Sequence, residues 1–109
     1  MVHSPELVPT LPPTIVLVDR NMSSRAMRRA ILGAMEGEPR GLVVDLRALR
    51  VMSDTRLAVL VSVNARQRAR RNTLTLVCGD NSVTQQALAR TGLTRAFTTV
   101  SGQTMLPPG

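Results

Sequence analysis

Ser53, Asp54 and Thr55 set a carboxylate between two hydroxyls, just ahead of the apolar run Leu57-Ala58-Val59-Leu60-Val61. Hydroxyls in such a place do one of two things. They take phosphate from a kinase, or they accept hydrogen bonds from the free amides of a helix's first turn. Asp54 can cap the helix, or stand as a fixed anion that the positive end of the helix dipole favours. Arg56 is either a solvated cation or a charge offered to a partner. Ser53 and Thr55 read first as hydroxyls bonded to first-turn amides.

Enzymatic chemistry has little to draw on. His3 is the sole histidine and lies in a Pro-rich end, which excludes a His-based triad or metal cluster. The absence of Lys removes Schiff-base chemistry and a phosphate-loop lysine. Cys78 closes an apolar strand and reads as a small core residue. Asp19, Asp45, Asp54 and Asp80 stand near strand or turn ends, where one or two carboxylates can hold Mg²⁺. No catalytic residue, metal site or cofactor is assigned.

The elements that must position the junction alternate. Residues 1–13 carry Pro5, Pro9, Pro12 and Pro13 and are expected to form an extended arm, with a short edge strand at Glu6-Leu7-Val8. Thr14-Ile-Val-Leu-Val18 reads as a strand. Ser23 or Ser24 caps a helix with Met27, Ala30, Ile31 and Ala34 on one side and Arg25, Arg28 and Arg29 opposite, and Gly37-Glu-Pro-Arg-Gly41 breaks it. The strand at 42–46 is apolar at nearly every position, as a strand covered on both faces should be. A helix is expected over 54–71, ended by Asn72. Thr73 to Cys78 is the next strand, the turn Gly79-Asp80-Asn81-Ser82 starts a shorter helix, and Gly92 suits a left-handed stop. Phe97-Thr-Thr-Val100 forms a last short strand, and 101–109 is a tail. This order predicts an α/β fold with a small, mainly parallel or mixed sheet and one domain over 14–100.

On a helical wheel Leu57, Leu60 and Val61 define the face of the 54–71 helix expected to meet the sheet. Val59 and Val63 lie nearly opposite, where a surface helix should be polar. That back face is either covered by another part of the chain, such as the arm, or a dock for a partner or second copy.

The chain has 109 residues, one aromatic (Phe97) and a net charge of +7 that comes from Arg alone. The charge suits phosphate backbones in principle. However, Arg66, Arg68, Arg70 and Arg71 scatter around their helix and crowd its end, so nucleic acid is not the expected partner. No apolar run approaches the roughly 20 residues of a membrane span. The N-terminus lacks the pattern of a secretory signal, and one cysteine excludes an internal disulfide. A cytoplasmic protein with no membrane partner is expected.

The stretch Val43-Val44-Asp45-Leu46 through Leu60, followed by Leu88-Ala-Arg-Thr-Gly-Leu93 and Phe97, resembles a STAS domain of the bacterial anti-sigma-factor antagonists. The resemblance covers residues 14–100. In that family the junction reads Asp-Ser-Ser/Thr-Gly-Leu, and its first Ser is the phosphoacceptor. The matching positions here are Ser53, Asp54, Thr55, Arg56 and Leu57, so Asp54 occupies the phosphoserine position and Arg56 replaces a Gly. The resemblance implies a non-catalytic module that binds a kinase-like anti-sigma factor in sigma-factor regulation. Contacts would come from Asp19, Asn21, Ser23 and Ser24 in one loop, from Ser53, Asp54, Thr55 and Arg56 at the helix start, and from Val59 and Val63 beyond it. Asp54 would supply about one negative charge against roughly −1.5 to −2 for a phosphate, making the protein phospho-mimetic or kinase-independent. Ser53 and Thr55 remain flanking candidates for a displaced phosphoacceptor.

The sequence departs from the family in its single clear first strand and in a C-terminal end, Met105-Leu-Pro-Pro-Gly, that is not helical in pattern. Uncovered edges would suit a homodimer or an obligate partner. Two other readings stay open. One is a module that senses a nucleotide or small ligand at the same helix start, and the other is a structural dimer without signalling.

Overall fold

A computed structural model of the chain describes residues 13–79 and 82–101. Its strands are β1 (Thr14–Leu17), β2 (Gly41–Asp45), β3 (Thr73–Val77) and β4 (Thr98–Val100). They lie in the order β1-β2-β3-β4, every adjacent pair parallel. The helices α1 (Ser24–Met35), α2 (Asp54–Ala69) and α3 (Val83–Arg90) alternate with them, and a short 3₁₀ turn at Thr94–Ala96 leads into β4. The fold is therefore α/β, as expected. The edge strand expected at Glu6-Leu7-Val8, His3, Asp80 with Asn81, and the tail beyond Ser101 lie outside the described residues.

Strand register explains where the core sits. Thr14, Leu42 and Leu74 face one way, and so do Val16, Val44 and Leu76 one step along. Val16, Leu42, Val44, Leu74 and Leu76 join Met27, Ile31 and Met35 of α1, Leu57, Leu60 and Val63 of α2, and Ala87 and Leu88 of α3 in one buried cluster. Cys78 and Phe97 belong to it too, so Cys78 is a core residue as expected, and burial pushes its thiol pKa up. All three helices thus pack on the same face of the sheet.

β2 is buried on both faces, as expected, although the described helices lie on one side only. The far face carries Val43, Val77, Ile15 and Leu17, none of them in the helix-facing cluster. Ile15 and Leu17, on the edge strand, are 55% and 68% exposed. Val43, with Ile15 and Thr75 beside it in register, is buried, and among the described residues no helix lies over it. A wholly apolar strand is consistent with either arrangement.

Helix ends are written locally. Each helix starts at a Ser N-cap: the amides of Ala26, Arg56 and Gln85 donate to Oγ of Ser23, Ser53 and Ser82 at 3.0, 3.2 and 3.1 Å. Such caps are each worth about 1 kcal/mol. α3 stops as Gly92 predicts, with φ +74° and paired bonds from Gly92 N to Ala89 O and from Leu93 N to Leu88 O. α2 stops by the same hydrogen-bond pattern, but the left-handed residue is Arg71 (φ +61°) and Asn72 only follows it. The helix accordingly ends at Ala69, two residues before the expected boundary.

Gln67 is the buried polar residue that ties this end together. Its Nε2 donates to the carbonyls of Pro39 (3.2 Å) and Thr73 (2.9 Å), joining α2 to the loop before β2 and to the start of β3. Replacing it by an apolar residue of similar size leaves two carbonyls short of a donor. Gln67→Leu is therefore expected to lower stability by about 2 kcal/mol in urea unfolding, since orphaned buried polar groups cost about 1–3 kcal/mol.

Candidate functional site

Parallel strands point their C-terminal ends one way, and each helix starts at that same end. The loops after β1 and β2 therefore meet there. The first is built on Asp19, whose Oδ1 accepts from Asn21 N (2.9 Å) while its carbonyl accepts from Met22 N (3.0 Å). Asn21 and Ser23 are exposed, and Ser24 is half-buried as the first residue of α1.

The second loop ends at the 53–56 junction, and its hydroxyls are occupied. Ser53 caps α2, and its Oγ also lies 3.1 Å from Thr55 Oγ1. Asp54 does not cap the helix. It is the first helical residue and is exposed, so its carboxylate faces solvent at the positive end of the helix dipole.

Arg56 does what the sequence did not suggest. It is half-buried, and its guanidinium donates to Val51 O at 2.7 Å and to Met22 O at 2.7 Å. One side chain thus joins the β1–α1 loop to the β2–α2 loop. Reading Arg56 as a free cation, offered to solvent or to a partner, is corrected by these bonds. The Gly expected here from the resemblance has no side chain to make them.

The two valines separate. Val63 is 1% exposed and belongs to the core, whereas Val61, expected to face the sheet, is 41% exposed. The cause is α1, which packs beside α2 and draws the buried arc of α2 toward Leu57, Leu60, Val63 and Gln67. Val59 is half-buried at the edge of that contact. The apolar back face expected at Val59 and Val63 is therefore mostly an internal helix–helix contact, and Val63 is withdrawn as a surface for a partner.

A further residue joins the site from β2. Asp45 sits at the strand's end and holds Arg47 through two bonds, Nε to Oδ1 at 3.0 Å and Nη2 to Oδ2 at 2.7 Å. Leu17, Asp19, Met22, Asp45 and Arg47 line an open depression of about 890 Å³ beside the loops. An Arg two residues after an acid was visible in the sequence, but not that the chain would turn back to close the pair.

No family model and no curated protein matches the sequence. Among solved structures the chain is similar in fold to the one described as the NMR structure of the protein TM1081. The TM-score is 0.71 at 12% identity, over 96% of this chain and 87% of that one. At that identity the likeness speaks for the fold alone.

Two consequences can be measured. Removing the Arg56 guanidinium frees two carbonyls and uncouples the loops. Arg56→Ala is expected to lower stability by about 2–3 kcal/mol in urea unfolding, because hydrogen bonds from a charged donor contribute about 1.5–3 kcal/mol each and water replaces part of them. The Arg47 hydrogen bond, against the opposing effect of burial, holds the Asp45 carboxyl below the usual carboxylate range. A depressed pKa means stability that is present above the ordinary carboxylate pKa and lost as pH falls through the lowered value. Asp45→Asn should accordingly flatten the acid limb of the stability–pH curve and leave the slope near neutral pH unchanged.

Proposed function

We propose that the chain is a non-catalytic interaction module of the STAS type, a divergent anti-sigma-factor antagonist of the cytoplasm. Its partner is a kinase-like anti-sigma factor, met through the 19–24 loop and the start of α2. The observation that carries the reading is the Arg56 link. It makes the two loops a single surface, with Asp54 exposed on it at the position where the resembling family has its phosphoserine.

The chemistry of that surface follows from charge. A serine there gains negative charge only when phosphorylated, whereas an aspartate brings a carboxylate without a kinase. The partner therefore always meets a negative group at the positive end of α2, and no kinase step at residue 54 can switch it. Ser53 Oγ accepts from the first-turn amide of Arg56 and lies 3.1 Å from Thr55 Oγ1, which favours a capping role for Ser53 over a displaced phosphoacceptor.

The test is affinity capture from the source cells with wild-type and Asp54→Ser baits, followed by titration of the captured anti-sigma factor. Both baits are expected to retain it, with Asp54→Ser binding about tenfold tighter, equivalent to about 1.4 kcal/mol. Equal affinities would reduce Asp54 to a helix-start acid. Failure of both baits to retain such a protein would overturn the proposal.

A further inference from the structure

α1 and α2 lie side by side and run in the same direction, because each returns from the C-terminal to the N-terminal end of a parallel sheet. Between them, on the side away from the strands, runs an open groove of about 490 Å³. Arg25 and Arg28 of α1 form one rim and Arg66 of α2 stands on the other, while Leu32 and Val59 supply an apolar floor. No acidic residue lines it, and none of the three guanidiniums has an ion-pair partner among the described residues.

We infer that this groove binds a short acidic, apolar-faced peptide segment of another protein. The charges are spread along it: from Thr55 to Arg66 the rim rises about 16 Å at 1.5 Å per residue. Arg25 and Arg28 stand a turn apart on one helix and Arg66 stands on the other, so a peptide carrying several acids can meet all three. The floor is unsuited to single-stranded nucleic acid. Unpaired bases bind by stacking on aromatic rings, and this chain has only Phe97, which is buried in the core. Leu, Ile or Met side chains of a peptide would instead cover Leu32 and Val59. A second copy is disfavoured because it brings the same net charge of +7 to the contact. The inference does not depend on the partner proposed above, since it rests on the groove's own charge and floor.

The probe is a 14-residue peptide with Leu and Glu at helical spacing, titrated into the full ¹⁵N-labelled chain and followed by NMR. Saturable shifts are expected at Arg25, Arg28, Leu32, Val59 and Arg66. The triple variant Arg25→Ala/Arg28→Ala/Arg66→Ala should weaken binding at least about tenfold, which is about 1.4 kcal/mol. The control Arg68→Ala/Arg90→Ala/Arg95→Ala removes equal charge from exposed positions outside the groove and should change it less than about twofold. Circular dichroism of both variants checks that they fold. Equal weakening by the two variants would overturn the inference in favour of general charge attraction. Shifts scattered over the surface, no saturable binding, or a single-stranded oligothymidylate that displaces the peptide from the groove would each overturn it as well.

Discussion

Everything at the candidate site depends on the order in which the strands are laid down. Four parallel strands added in sequence order, each joined to the next by a crossover of one hand, force their helices onto the same face. That choice has two results. It puts every helix start beside the C-terminal end of a strand, so the loops after β1 and β2 become neighbours although Met22 and Arg56 are far apart in sequence. It also makes α1 and α2 pack against each other, which buries Val63 and opens the Arg-lined groove above them.

Within that frame, the junction is held by polar bonds more than by apolar packing. Ser53 caps α2, Arg56 joins two loop carbonyls, and Arg47 closes on Asp45. Each of these groups satisfies backbone or carboxylate atoms that would otherwise compete for water. Asp54 is the exception, exposed and bound to no other described residue. An exposed anion free of internal bonds is open to recognition, and this is why the function proposed here turns on that residue. Arg56 also sets a limit on how similar the junction can be to one with Gly in its place, because its side chain fills space that a Gly would leave open.

What was legible in the sequence was local. Ser23 and Ser82 as caps, Gly92 as a left-handed stop, the alternation of strand and helix, and Cys78 and Phe97 in apolar segments all follow from bonding within a few residues. What was not legible depends on neighbours distant in the chain. The wheel of α2 gave an apolar stripe, but the centre of its buried arc is fixed by α1, so Val61 and Val63 exchanged places. The strand at Gly41–Asp45 is equally apolar whether helices cover one face or two. Arg71 occupies a left-handed position that residue preference assigns to the Asn beside it, since the hydrogen bonds of Asn72 and Gln67 fix the turn. The Arg56 link spans 34 residues and has no signature in spacing.

The central claim is that the 19–24 loop and the start of α2 act as one recognition surface. The most direct measurement is residue-resolved hydrogen exchange of the full chain, alone and with the captured anti-sigma factor. The account predicts added protection together at residues 19–24 and 53–59. Protection limited to the open far face of the sheet around Ile15 and Leu17, with both loops unchanged, would contradict it.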